Sequence, residues 1–322
     1  MTLVFIHNGY SAYLEFTLRQ ARAADPEADL VLLGDAENDR FPFLRHVDTA
    51  RPAFRDAADR VAGVYRHRST NARAFELLCF QRWFVLRAFL EAEGLAEAFV
   101  LDSDVMLYAS AAEMASRLEG KTLGLARPVE QPPYHWLASA HVSYWTAGQA
   151  AAFCDFVLRS YTEPEAFARY EEKWQHHLQK GLYGGICDMT ALYLFEQDQD
   201  PGPVANLLTV HEGCVHDRNL NFEANAYDAE YRTRNGLKDI TWDDAGRPWG
   251  FNRRRGTDVR FQTLHLQGSA KQHVPQFYRG EPFQGQSRLR QQIGWHYRMR
   301  RAASTVAQPA RMLTGKLKRR TS

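Results

Sequence analysis

The sequence is poor in cysteine, and what it has is scattered. Cys79, Cys154, Cys187 and Cys214 stand far apart, and no CxxC pair occurs. That spacing gives no disulfide framework and argues against a structural zinc site. Long apolar runs are also missing; none approaches the roughly 18 residues of a membrane-spanning helix. The opening MTLVFIHNGY has no basic leader region, so it reads as a first strand and not as a secretory signal. A cytoplasmic location is the expectation. Acidic residues stop at Glu281, beyond which Lys and Arg occur ten times. The body is therefore slightly acidic, and positive charge gathers in 286–322. With a net charge of only +2, nothing in the balance calls for nucleic acid.

What is present is an α/β pattern. LVFIHN (3–8) and DLVLLGD (29–35) are apolar, β-prone runs, and SAYLEFTLRQARA (11–23) between them has helical spacing, with Ser11 placed to cap it. A β-α-β unit implies a parallel sheet packed by helices. Residues 71–93 carry the clearest helical periodicity, with Asn71 as the expected cap. AFVL (98–101) and SAHVSYW (139–145) read as strands, and 146–160 and 164–180 as helices. GGICDMTALYLF (184–195) reads as a glycine turn opening a helix. From 199 to about 260 the pattern weakens, although ITWDDAGRPWGF (240–251) predicts a hairpin. A length of 322 residues suits this as one large α/β domain or two modest ones.

The chemistry concentrates at strand ends, where open α/β sheets bind ligands. Asn8, Asp35 and Asp102 each close an apolar run, and Asp102-Ser103-Asp104 places two carboxylates one residue apart. Such a pair suits a hard divalent cation that also grips phosphate oxygens. About one Asp-x-Asp arises by chance in a chain of this composition, and Asp198-Gln199-Asp200 is expected to be that chance case, a solvated turn. HLQGSAK (265–271) is rarer, on the order of one such chain in fifty. Its histidine can ligate a metal, its glycine lets backbone approach a phosphate, and its lysine supplies a point charge. The adjacent His176 and His177 lack a third ligand at metal spacing and read as surface residues.

Through these motifs, in this order over about residues 3–275, the chain resembles nucleotide-sugar glycosyltransferases of the GT-A fold, nearest the retaining family-eight enzymes. The resemblance implies a mixed sheet flanked by helices, with 1–108 as the nucleotide half, 109–285 as the acceptor half and 286–322 as a basic tail. It implies that Asp102, Asp104 and His265 bind Mn²⁺ or Mg²⁺, and that Gly268 and Lys271 contact the diphosphate of a UDP-hexose. His7, Asn8 and Gly9, with Asp35, would line the uridine pocket. Arg82 would reach the phosphates or sugar, and Ser103 would lie near the ribose. Asp188 would face the transferred sugar as the catalytic carboxylate, although Met189 stands where the family usually has Gln. Gly184 and Gly185 would allow close approach to substrate, and His141 and Ser143 would lie before the acceptor site. The acceptor would be a hydroxyl of a glycan or glycolipid.

The basic tail mixes Arg and Lys with Leu, Ile, Trp, Tyr and Met, a composition suited to an anionic membrane surface. Two other readings compete. A nucleic-acid binder would use the tail, but the body is not basic and carries no recognisable module. A metal-dependent nucleotidyltransferase or nucleotide hydrolase would use the same carboxylate pair, but no lysine-rich triphosphate loop follows the first strand.

Overall fold

The structure is a computed structural model that describes residues 1–200 and 202–299. Its apolar runs assemble into a mixed sheet flanked by helices, as the resemblance implies, the antiparallel strand Ser139–Thr146 making it mixed where the β-α-β pattern alone implied a parallel one. Strands β1 (Thr2–His7), β2 (Asp29–Gly34), β3 (Arg45–Asp48) and β4 (Glu97–Leu101) come first. β1 lies parallel to β2 and to β4, and β2 parallel to β3. Parallel neighbours need crossovers. Helix α1 (Leu14–Ala24) joins β1 to β2, and α2 (Pro52–Ala62) and α3 (Arg73–Glu93) join β3 to β4.

After β5 (Val105–Leu107) and α4 (Ala111–Ala115), β6 (Leu123–Ala126) and β7 (Ser139–Thr146) return to the same sheet. β7 runs antiparallel to both β4 and β6. Helices α5 (Ala147–Thr162), α6 (Pro164–Lys180) and α7 (Asp188–Gln197) follow, then the edge strand β8 (Val204–Asn206). The order is β3-β2-β1-β4-β7-β6-β8, so strands from either side of residue 108 share one sheet.

A second sheet grows from the region that is hardest to read. It holds β9 (Cys214–His216), then, beyond a small hairpin of β10 (Thr233–Arg234) and β11 (Leu237–Lys238), the strands β12 (Ile240–Trp242), β13 (Pro248–Asn252) and β14 (Thr257–His265). The expected hairpin is β12–β13, with Ile240 opposite Gly250. β5 completes this sheet by pairing antiparallel with β14, so the chain crosses from one sheet to the other within residues 102–104. A 3₁₀ turn (Gly268–His273) and α8 (Val274–Phe277) follow, and residues 286–299 are helical. The rest of the basic tail lies outside the described residues.

Apolar layers cover both faces of the main sheet. Trp83, Trp145 and Phe153 pack together on the α3/α5 side, and Leu14, Leu18 and Leu32 on the α1 side. Burying each such side chain contributes about 1.5–3 kcal/mol. Helix α3 ends where Gly94 turns left-handed at φ 63°, a conformation a side chain would strain.

Two expected caps are not formed. Helix α1 begins at Leu14 with Tyr13 before it and no side-chain cap, because the residues around Ser11 are still in a turn. Ala72, not Asn71, precedes α3; the Asn71 amide instead donates to Glu76 at 2.7 Å.

Candidate active site

The crossing between the two sheets builds the site. β4 ends at Leu101, and the Asp102 amide donates to the His141 carbonyl on β7 at 2.8 Å. The Val105 amide then donates back to the Asp102 carbonyl at 3.0 Å, closing a tight turn. On the other sheet, His265 is the register partner of Val105, and the Leu266 amide donates to the Asp104 carbonyl at 3.0 Å. Strand pairing therefore carries His265 to the carboxylates across 161 residues of sequence (265 − 104). One ligand atom from each of Asp102, Asp104 and His265 lies within 4.8 Å of the others.

The histidine is prepared for a cation. Its Nδ1–H donates to the Arg218 carbonyl at 2.8 Å, which leaves Nε2 facing Asp104 at 3.5 Å. That is the tautomer a metal-ligating histidine takes when a backbone carbonyl holds its other nitrogen. Burial is the largest single influence and would lower its pKa, but Asp104, the Arg218 carbonyl and Asp102 together outweigh it, so the net shift is upward; without a cation the ring favours its protonated form, and a metal would have to displace the Nε2 proton. Burial would likewise raise Asp104; His265 and the ammonium of Lys271 overcome it and hold the carboxyl well below its usual range. Lys271 pairs directly with the second Asp104 oxygen.

Asp217 and Lys238, both essentially sealed from solvent, hold His265 from behind. One Asp217 carboxylate oxygen accepts the His265 amide at 3.0 Å, and the other accepts Lys238 Nζ at 2.6 Å. The His141 ring stacks on the His265 ring at 4.1 Å, and its Nε2–H donates to the Asp217 carbonyl at 2.8 Å. His141 thus supports the His265 ring from one face. Ser143 is fully buried and accepts from the Trp145 indole at 2.9 Å, an internal strand contact away from the cavity.

On the opposite side, α3 contributes Arg82 and α7 contributes Asp188. Arg82 donates to Asp102 at 2.7 Å and to Asp188 at 2.6 Å. Asp188 is the first residue of α7, where a negative charge is favoured by the helix dipole, and it also accepts the Trp83 indole at 3.1 Å. Arg82 therefore bridges two carboxylates instead of lying free on its helix. Asp102, Asp104, His265, Lys271, Arg82 and Asp188 all line one cavity of about 700 Å³.

At the end of β1, His7 Nδ1 and Ser103 Oγ share a hydrogen bond at 2.9 Å, and Tyr13 Oη lies 3.2 Å from the same Oγ. Burial lowers the His7 pKa despite the nearby aspartates. Asp35 turns inward to the backbone: its oxygens accept from the Gly9 amide at 2.7 Å, the Glu37 amide at 3.0 Å and Asn38 Nδ2 at 3.0 Å. It orders the turn after β1 and caps the next short helix, and its acceptors are engaged there. Asn8 is exposed beside it. Gly268 opens the 3₁₀ turn at φ 60°, with nothing within 4 Å of where a Cβ would stand.

The glycines before α7 serve a packing need. A Cβ on Gly185 would sit 2.2 Å from the Arg68 carbonyl oxygen, where the loop bridges to Ser69. Both Gly184 and Gly185 also line the cavity. Asp198 is exposed and pairs with Arg169 at 2.7 Å, as a solvated turn should. His176 and His177 are less peripheral than their polar helix suggests. His176 stacks on Tyr134 at 4.6 Å, and His177 lines the cavity.

Sequence reasoning missed Tyr13, Lys173, Asp217 and Lys238. Tyr13 and Lys173 are masked by helical periodicity, which reports a ring or an aliphatic stem and not its polar end. Lys173 is 3% exposed and donates to the His135 carbonyl at 2.8 Å and Thr190 at 2.7 Å, so it ties the cavity wall to α7. Asp217 follows the apolar CVH of β9, the same strand-end signal that exposed Asp102, but in a short and unobvious strand.

No protein-family model and no curated protein matches the chain. Solved structures similar to it include mouse xyloside xylosyltransferase 1, at 13% identity and a TM-score of 0.44, covering 64% of this chain and 84% of that one. The galactosyltransferase LgtC, in complex with donor and acceptor sugar analogues, shares 17% identity at a TM-score of 0.44 and covers 91% of this chain and 95% of its own. The glycosyltransferase GlyE of Streptococcus pneumoniae TIGR4 matches at 12% identity and 0.39, covering 66% of this chain and 46% of its own. Superpositions this loose leave substrate and chemistry to the residues of the site.

Proposed function

We propose that this chain is a metal-dependent glycosyltransferase of the GT-A type that moves a hexose from a UDP-sugar to a hydroxyl of a glycan or glycolipid, with retention of configuration. The observation that carries the reading is the convergence of Asp102, Asp104 and His265 at the crossing between the sheets, with Lys271 on one flank and the Arg82–Asp188 pair on the other. Two carboxylates and an imidazole Nε2 are the donor set a Mn²⁺ or Mg²⁺ ion accepts, with Mn²⁺ the better match to nitrogen.

When bound, the ion supplies charge stabilisation for the diphosphate leaving group. The chain's own residues do the rest. Lys271 places a point charge at the cluster, where it can meet a phosphate oxygen as the diphosphate departs. Gly268 leaves its backbone open for that approach. Asp188, held by Arg82 and Trp83, presents a fixed carboxylate toward positive charge developing on the transferred sugar. His7, Ser103 and Tyr13 form a hydrogen-bonded chain on the nucleotide side, suited to ribose hydroxyls.

Calorimetric titration of UDP with Mn²⁺, and again with EDTA, tests the donor site. Metal-dependent binding, followed by release of UDP from a UDP-hexose, supports the reading. No UDP binding under either condition overturns it, and release of pyrophosphate from a nucleoside triphosphate would replace it with nucleotidyl transfer.

Among the described residues no helix is long and apolar enough to cross a membrane. We propose that the enzyme works in the cytoplasm and that the basic side chains of 286–322 meet an anionic membrane surface beside a lipid-linked acceptor. Vesicles rich in anionic phospholipid should sediment the protein; failure to do so removes this part of the reading.

A further inference from the structure

A second cavity adjoins the candidate metal cluster and shares Tyr13, Gly268 and Lys271 with the donor site, but its outer wall has no role above. It encloses about 410 Å³, within the roughly 300–1,000 Å³ typical of small-ligand pockets. Its inner wall is the segment from Tyr10 to Tyr13 at the end of β1, its floor is Gly268 and Lys271, and its outer wall is the helix 286–299. Tyr13 and Lys271 line both cavities, so the two meet at the Lys271 ammonium.

Helix 286–299 is anchored in a way that keeps this wall in place. Ile293 and Tyr297 are buried in the core beneath the second sheet, with Leu289 packed against it. The residues between them, Trp295 and His296, are exposed and line the cavity, with Gln292 beside them. Trp295 is 60% exposed. A large indole kept at the mouth of a cavity offers a flat apolar face, while Gln292 and His296 offer polar atoms next to it. That combination recognises a planar heterocycle with polar edges. On the inner wall, Arg40 covers the Tyr10 ring at 4.2 Å from its centroid, which leaves that ring as a braced surface.

We propose that the nucleobase of the donor binds in this second cavity, and not at the His7–Gly9 turn with Asp35 that the resemblance implies, whose carboxylate is engaged by backbone and Asn38, and that helix 286–299 is a wall of the donor site through Trp295, His296 and Gln292. The inference rests on the donor-site reading above. With the diphosphate at Lys271 and Gly268, the sugar extends into the larger cavity toward Asp188, and the nucleoside extends the opposite way. The segment read from sequence as a membrane-facing tail thus begins as a binding element.

The test uses the full chain, UDP, and inorganic pyrophosphate, each titrated with Mn²⁺. Trp295→Ala is expected to weaken UDP roughly tenfold or more, the loss of one stacked base, and to leave pyrophosphate affinity unchanged. Trp295→Phe should retain most UDP affinity, while abolishing a UDP-dependent quench of tryptophan fluorescence. His296→Ala and Gln292→Ala should shift preference among UDP, CDP and ADP. UDP affinity unchanged in both Trp295→Ala and His296→Ala overturns the inference while the donor site stands. Wild-type protein that binds neither UDP nor pyrophosphate overturns the donor-site reading itself. Equal losses for UDP and pyrophosphate in Trp295→Ala would show a structural role for the helix and also overturn the inference.

Discussion

Arg82 and Asp188 are 106 residues apart in sequence and 2.6 Å apart in space, and Asp188 is almost wholly buried. The same guanidinium reaches Asp102, so one cation joins the first residue of α7 to the Asp102–Asp104–His265 cluster. Removing it leaves a buried carboxylate whose one remaining side-chain donor among the described residues is the Trp83 indole. Arg82→Ala should cost about 3 kcal/mol or more in urea unfolding, the usual penalty for breaking a buried pair. Asp188→Asn keeps the shape and a polar partner, so it should lose less stability than Arg82→Ala while suppressing sugar transfer at least tenfold.

Asp104 is the carboxylate most constrained by its neighbours, with His265 on one oxygen and Lys271 on the other. Asp104→Asn removes a carboxylate charge with little change in volume. Mn²⁺-dependent UDP binding should weaken by a factor of ten or more, about 1.4 kcal/mol, in calorimetry. Unchanged affinity would exclude Asp104 from the site.

Lys238 touches no candidate substrate group, yet it neutralises the Asp217 carboxylate that holds the His265 backbone. Lys238→Met should destabilise the fold by about 3 kcal/mol or more, because it strands a buried negative charge. In protein that remains folded, Mn²⁺ affinity should fall on the order of tenfold, as expected when support behind a ligand is lost. The double variant Lys238→Met with Asp217→Asn removes the stranded charge and should recover part of the stability. Recovery of stability without recovery of metal affinity would identify Asp217 as the group that positions His265.

Lys173 carries a pH dependence of defined sign. Burial pushes its pKa down to about 8, whereas the unfolded chain holds it near 10.4. Between those values the unfolded state binds a proton that the folded state has released, so stability should rise with pH from about 8 toward 10.4. Below about 8 the buried charge is carried at a cost. Lys173→Met should flatten this rise in chemical unfolding measured across that window; a rise that persists in the variant would assign it to another group.

Gly185 sets the geometry of the turn before α7. Gly185→Ala would drive a methyl into the Arg68 carbonyl, and should lower stability by about 1–3 kcal/mol. The readout is the urea midpoint. The adjacent Gly184, where a Cβ meets nothing within 4 Å, should lose less on substitution, from backbone strain at φ 89° alone.

Local pattern alone was enough for much of this protein. Apolar runs and helical spacing placed β1, α1, β2, α3, β4, β7, α5, α6, α7 and the β12–β13 hairpin, because burial of one face imposes its own period on the residues. Asp-x-Asp after a strand and His-x-x-Gly-x-x-Lys near a later one marked the metal candidates for the same reason. Strand ends are where side chains leave the core. Periodicity says nothing of which strands are neighbours. Only the tertiary structure decided that the chain changes sheets at Asp102–Asp104, that β5 pairs with β14 and so delivers His265, and that Arg82 faces two carboxylates. Long-range register, set by packing across the whole sheet, made those choices. It also turned Asp35 inward to cap a helix, buried Lys238 against Asp217, and laid along a cavity the helix 286–299 that composition alone assigned to a membrane-facing tail.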